Sequence, residues 1–166
     1  MDVIKITDMA GATIEHSEVI VNFVSAVHPQ LKNSTCKVYS DNVQYKWTVD
    51  NQEHIVIPDA SINCRTYAKR GNSFFDTPRF VMEVLSHSTA KNDRGEKFNL
   101  YRDMEIDEYW IVDWVNKTIE IYLLDYDDQG KPLYYLFRTV TEENKEDLKI
   151  VHFPHIQVNF DELFSY

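Results

Sequence analysis

A chain of 166 residues with 43% hydrophobic and 13% aromatic residues can bury one sizeable core, and reads as one domain over residues 1–166. Its net charge of −10 opposes non-specific attraction to nucleic acid, although a local basic groove, or a metal held by carboxylates, can coexist with that excess. No window approaches the ~18 apolar residues of a membrane span, and Met1 to Thr7 lacks the apolar run of a signal peptide; a cytoplasmic protein is expected, with Cys36 and Cys64 as reduced thiols.

Thr13, preceded by Gly11, is a helix N-cap. Ile20, Val24, Val27 and Leu31 then recur on one helical face, with His16 pointing the same way and Glu15 on its flank. Pro29 sets the end of this helix near His28. Lys37 to Tyr39 and Val43 to Trp47 read as strands around a Ser40-Asp41-Asn42 turn. His54 to Ile62 alternates as a single strand with Ile55, Ile57, Asp59 and Ser61 on one face; Pro58 makes it irregular there and re-aims Asp59. Arg65 to Pro78 is polar and reads as a mobile loop near a site mouth.

The stretch from Phe80 to Asp113 organises the chain. Phe80 to Leu85 is an apolar run with one acid, Glu83, inside it. A bend at Ser86 to Thr89 precedes a charged helix, capped either by Ser88 or Thr89 or by an Asp93–Glu96 capping box. Lys97, Tyr101 and Met104 share a face of that helix. Tyr109 to Asp113 is a second apolar strand, which completes a βαβ unit with a parallel strand pair. Thr118 to Leu124 folds back on it as a hairpin, Leu133 to Val140 is an edge strand, and Leu148 to Phe164 covers the sheet end.

A carboxylate inside a buried strand is costly unless paired, and Arg79 and Arg94 are the arginines that could pair with Glu83. The alternative is a site. Asp59 and Glu83, from neighbouring strands, offer oxygen ligands suited to Mg²⁺ or Mn²⁺, and Lys97 offers charge stabilisation beside them. His152 with His155, the Ser86-His87-Ser88 bend, the Asp125-Asp127-Asp128 turn and the Tyr134-Tyr135 pair read as structural.

Four blocks carry a resemblance: Ile57-Pro58-Asp59-Ala60, Phe80 to Ser86, Asp93 to Lys97 with Tyr101, and Glu108 to Asp113. In order and spacing they resemble the Uma family of restriction endonucleases, over roughly Thr13 to the C-terminus. The resemblance implies an α/β chain with the PD-(D/E)XK nuclease fold, a central mixed β-sheet flanked by helices, and a DNA substrate hydrolysed with Mg²⁺ or Mn²⁺. It implies that Asp59 and Glu83 are the motif acids and metal ligands, with the Val84 carbonyl as a further ligand. The motif lysine falls at Leu85 here, and Lys97 on the following helix takes its place. Glu15 and His16 match the first-helix position of an extra acid or histidine ligand. The segment before Thr13 is shorter than in the family, which reads as a shortened copy. A homodimer is expected of an enzyme that cuts both strands; a catalytically inactive binding or regulatory module on the same fold is the alternative.

Overall fold

The computed structural model describes residues 13–86 and 90–166, apart from the side chain of Asn92. The expectations for Met1 to Thr7, for Gly11 and for Ser88 or Thr89 as caps fall outside that range.

Helix α1 (Ile14–Val27) starts as expected: the Thr13 hydroxyl accepts from the His16 amide at 3.2 Å. A 3₁₀ turn, His28–Leu31, follows at Pro29. The strands are β1 (Lys37–Tyr39), β2 (Gln44–Val49), β3 (Gln52–Val56), β4 (Ala60–Asn63), β5 (Lys69–Arg70), β6 (Ser73–Phe74) and β7 (Phe80–Val84). Helices α2 (Ala90–Arg94) and α3 (Glu96–Asp103) lead to β8 (Glu108–Asp113), β9 (Thr118–Tyr126), β10 (Pro132–Val140) and a short α4 (Phe160–Leu163).

Two sheets form. The larger has the order β1-β4-β7-β8-β9-β10, with β7 and β8 parallel and the other neighbours antiparallel. The smaller has the order β3-β2-β6-β5. The parallel pair, the hairpin onto β8 and the edge position of β10 match the sequence reading. The expected strand His54 to Ile62 does not survive as one element. It divides at Ile57-Pro58-Asp59, so that β3 belongs to the small sheet and β4 to the large one. Proline lacks the N–H needed to continue a ladder, and the chain changes sheets there. The segment expected to be a loop, Arg65 to Pro78, contains β5 and β6 of the small sheet. The tail from Leu148 covers the large sheet without adding a strand.

Strand β7 is buried along its whole length, which explains its near-continuous apolar sequence. Phe80, Met82 and Val84 face α1 and the C-terminal tail, in a core with Phe23, Trp110 and Phe160. Val81 and Leu85 face the other way, into a second core with Tyr45, Phe74, Tyr101 and Tyr109. Glu83 shares this second side by the period-two alternation of a strand.

Cys36 and Cys64 form a disulfide, contrary to the reduced thiols expected. Lys37 pairs with Asn63 in the β1–β4 ladder, so the next step outward brings the two cysteines opposite each other. The bridge joins residues 28 apart, a loop for which chain-entropy arguments give about 3–4 kcal/mol. Reductant is therefore expected to lower the stability by about that amount in urea titrations, whereas a Cys36→Ser/Cys64→Ser variant is expected to show no response to it.

Candidate active site

The large sheet brings Asp59 and Glu83 together. Ala60 opposes Met82 across the β4–β7 ladder, and one step further Asp59 arrives beside Glu83. The Val84 amide donates to Asp59 Oδ2 at 2.7 Å, which anchors that carboxylate to the strand carrying the glutamate. Freed from both ladders by Pro58, Asp59 turns toward α1, where His16 Nε2 lies 3.1 Å from the same Oδ2. The Thr13 cap fixes the first turn of α1 and with it the position of His16.

Glu83 is 1% exposed. Neither Arg79 nor Arg94 pairs with it: Arg79 binds Asp107 and Arg94 binds Glu120. Its partners come from α3. Lys97 Nζ lies 3.1 Å from Oε2, and the Tyr101 hydroxyl donates to Oε1 at 2.5 Å. Lys97, Tyr101 and Met104 all bury the helical face that their spacing defines. Lys97 Nζ also lies 3.0 Å from Asp93 Oδ1, one helical turn earlier. Asp93 is therefore a buried partner of the lysine and not the first residue of a capping box. Its i,i+4 spacing to Lys97 is the signal that could have shown this. Gly95 separates α2 from α3; a Cβ there would sit 2.9 Å from the Lys91 carbonyl oxygen one turn earlier, so the tight junction after α2 requires glycine. Leu85, at the usual lysine position, packs into the second core.

The electrostatics follow from crowding. Burial pushes the Glu83 carboxyl well above its usual range; the Lys97 ammonium opposes that shift, and the negative charges of Asp59 and Asp93 add to it. Burial acts against a charged Lys97, but Glu83, Asp93 and Asp59 outweigh it and raise its pKa, so the ammonium persists at neutral pH. Burial likewise disfavours a charged His16, yet its hydrogen bond to Asp59 and the charges of Asp59, Asp41 and Asp93 raise its pKa above 6.5. Three carboxylates thus surround one ammonium and one titrating imidazole, and the cluster is short of positive charge.

Of the residues singled out in the sequence, His16 with Asp59 and Lys97 with Glu83 form two bonded pairs, and the Val84 amide, next to Glu83 in β7, brings the first pair beside the second. Glu15, half-buried beside His16, makes no hydrogen bond or ion pair to them among the described residues. His16 Nδ1 is buried without a hydrogen-bond partner among the described residues. Among the described residues, no three acidic, histidine or cysteine side chains converge to hold an ion by themselves. The donor set nevertheless suits Mg²⁺ or Mn²⁺, because Mg²⁺ commonly takes one or two carboxylates and retains several waters. The structural readings of the histidine, aspartate and tyrosine motifs hold, while His87 and Ser88 of the bend after Ser86 lie outside the described residues. His152 binds the buried Glu108, Asp127 caps its own turn, and Tyr134 and Tyr135 point to opposite faces. Among the described residues, no helix is long and apolar enough to cross a membrane.

A family model, Uma2, described as "Putative restriction endonuclease", matches residues 5–151. Two Synechocystis proteins are similar: slr1290 is 29% identical over 119 residues, 71% of this chain and 62% of its own length. The second, sll1609, is 23% identical over 121 residues, 71% of this chain and 67% of its own. Both are described as uncharacterized. The matched region thus spans under two thirds of the length of the first relative. A crystal structure from Anabaena variabilis, titled as a "putative nuclease belonging to DUF820", superposes with a TM-score of 0.67 over 93% of this chain and 82% of that one, at 15% identity. The fold is restriction-endonuclease-like.

Proposed function

This chain belongs to the Uma2 family, and from that membership and the cluster around Glu83 we propose that it is a divalent-metal-dependent endonuclease hydrolysing DNA phosphodiester bonds. The observation that carries this reading is the shortage of positive charge: Asp59, Glu83 and Asp93 crowd a largely buried site that holds one permanent cation, Lys97. Asp59 and Glu83 would hold Mg²⁺ or Mn²⁺, with the Val84 carbonyl and His16 as further ligands. The ion, when bound, supplies Lewis acidity toward a phosphoryl oxygen and lowers the pKa of water.

Everything else is done by the chain's own groups. The Val84 amide and His16 orient Asp59. Tyr101 holds the far oxygen of Glu83, so this carboxylate is fixed in direction before any ligand arrives. Lys97 keeps its proton because three carboxylates favour the charged form. It therefore serves as a positive charge for the developing phosphate oxygens and not as a base. Glu15 enters only as an acid that would orient a second ligand beside His16.

Supercoiled plasmid is expected to become nicked and linear in millimolar Mg²⁺ or Mn²⁺, and to remain intact in chelator. Mn²⁺ at about 100 times its dissociation constant is expected to stabilise the fold by about 2.7 kcal/mol. Metal binding without cleavage of any DNA would favour an inactive binding module. Absence of metal binding by calorimetry would remove the site assignment altogether.

A further inference from the structure

The small sheet carries a feature that the active site does not use. Lys46 on β2 and Arg70 on β5 both lie over the ring of Phe75, at 5.8 and 5.0 Å from its centroid. The register explains why. Arg70 opposes Ser73, and Phe75 falls two residues after Ser73 on the same side of the sheet. Lys69 precedes Arg70 on the same edge strand and is exposed, but it opposes Phe74 and so belongs to the other face. Among the described residues, neither Lys46 nor Arg70 has a carboxylate within ion-pair distance, and Arg70 is the one arginine of which that is so: Arg65, Arg79, Arg94, Arg102 and Arg138 are all paired. Two like charges held on one partly exposed ring, with no carboxylate in ion-pair contact among the described residues, suit an anion from outside the chain.

The charge pattern points the same way. The chain as a whole is −10, yet residues 65–79 contain four cations, Arg65, Lys69, Arg70 and Arg79, against one acid, Asp76. The location also fits. Lys46 pairs with Ile55 on β3, and Asp59 follows four residues later. At ~3.3 Å of chain per residue and ~5 Å across the ladder, Lys46 stands within about 20 Å of the acid, roughly six base pairs of duplex rise. The Tyr45 hydroxyl bonds the Ser61 hydroxyl at 2.8 Å, which ties the small sheet to β4 beside the site.

We propose that the outer face of the small sheet, through Lys46 and Arg70 gathered on Phe75, is the surface that grips the phosphate backbone of duplex DNA beside the Asp59–Glu83 site. This rests on the nuclease reading and adds the substrate-binding surface to it. The contacts are to phosphates, so the surface confers affinity and orientation without reading sequence.

The test uses the full chain in chelator, where DNA binds without being cut. Binding of a fluorescent linear duplex is measured across a salt series for the wild type, for Lys46→Gln/Arg70→Gln, and for a control with the same charge change, Lys117→Gln/Lys131→Gln. The expected result is at least a roughly tenfold loss of affinity near 0.1 M salt and a log–log salt slope shallower by about 2 for the first variant, with wild-type behaviour for the control. Phe75→Leu, which keeps both charges but removes the ring that gathers them, is expected to weaken binding without changing the slope. Equal weakening by the two double variants, or no weakening by the first, overturns the surface; if the wild type still cuts plasmid, the nuclease reading stands alone. A wild type that neither binds nor cuts DNA, or that binds only RNA, overturns both.

Discussion

Asp59→Ala and Glu83→Gln are each expected to reduce plasmid cleavage by roughly 10³-fold or more, because each removes a carboxylate from the proposed ion site. Lys97→Met is expected to lose about 10²–10³-fold while retaining Mn²⁺ binding, since Lys97 contributes charge and not a ligand. Cleavage by Asp59→Ala and Glu83→Gln at the wild-type rate would rule out the site. Stability is expected to move the opposite way from activity in Glu83→Gln. Burial raises the Glu83 pKa, so the folded protein retains a proton that the unfolded chain releases above about pH 4.5. Its contribution is present below that value and is lost as pH rises through the folded pKa. His16, also raised, acts in the same direction starting from about pH 6.5. The metal-free wild type is therefore expected to lose stability between about pH 5 and 8. Glu83→Gln, which keeps an acceptor for Tyr101 and leaves Lys97 its partner Asp93, is expected to melt a few degrees higher, ~2–4 °C, at pH 8. Thermal scans of both proteins across this range, in chelator, measure the difference.

Glu108→Ala is expected to be the most destabilising single change away from the site. The Glu108 side chain is fully buried at the start of β8. Its Oε1 accepts from the Trp110 indole at 2.9 Å and the Val151 amide at 3.0 Å. Its Oε2 meets the His152 amide at 2.9 Å and His152 Nδ1 at 3.0 Å. Removing the carboxylate leaves all four groups without this partner in or near the core, at a cost of about 3–5 kcal/mol. Glu108→Gln preserves the shape but turns an amide N–H₂ toward two of the donors, and is expected to lose roughly half as much. Urea denaturation measures both. Because Glu108 opposes Phe80, at the far end of β7 from Glu83, the remaining folded protein is expected to bind Mn²⁺ with unchanged affinity. A loss below about 1 kcal/mol for the alanine variant would show that this buried carboxylate is not what fastens the tail.

How much was legible in the sequence depended on the range of the interaction. The first helix, its cap and the βαβ unit were readable because caps and periodicity are local, and Asp59, Glu83 and Lys97 stood out on that frame. The division of His54 to Ile62 was not readable. Pro58 marked an irregularity, but alternation continues past it, and only the pairing partners of β3 and β4 reveal that they lie in different sheets. The disulfide was hidden for the same reason, since Cys36 and Cys64 become neighbours only once β1 is paired with β4. Asp93 was misread because its spacing to Glu96 imitates a cap, while its burial depends on Lys97 and on the Tyr109 hydroxyl, which donates to the Asp93 carbonyl.

The C-terminal tail bears on the order in which the molecule can be assembled. Ile150, Phe153, Ile156, Phe160 and Leu163 fill the core beneath α1. Asn22 donates to the Leu163 and Ser165 carbonyls, and Gln30 exchanges hydrogen bonds with the Gln157 backbone, across separations of 127 to 143 residues. Contacts of such sequence distance carry a large loop-closure cost and slow folding. During synthesis, α1 and the inner face of β7 must wait, uncovered, until nearly the whole chain has been made. Phe23 and Phe80 are then the surfaces most open to mispairing. Refolding of a chain ending before Leu148 is accordingly expected to yield aggregates, and supplying the missing segment as a separate peptide would show whether closure of this face is the limiting step.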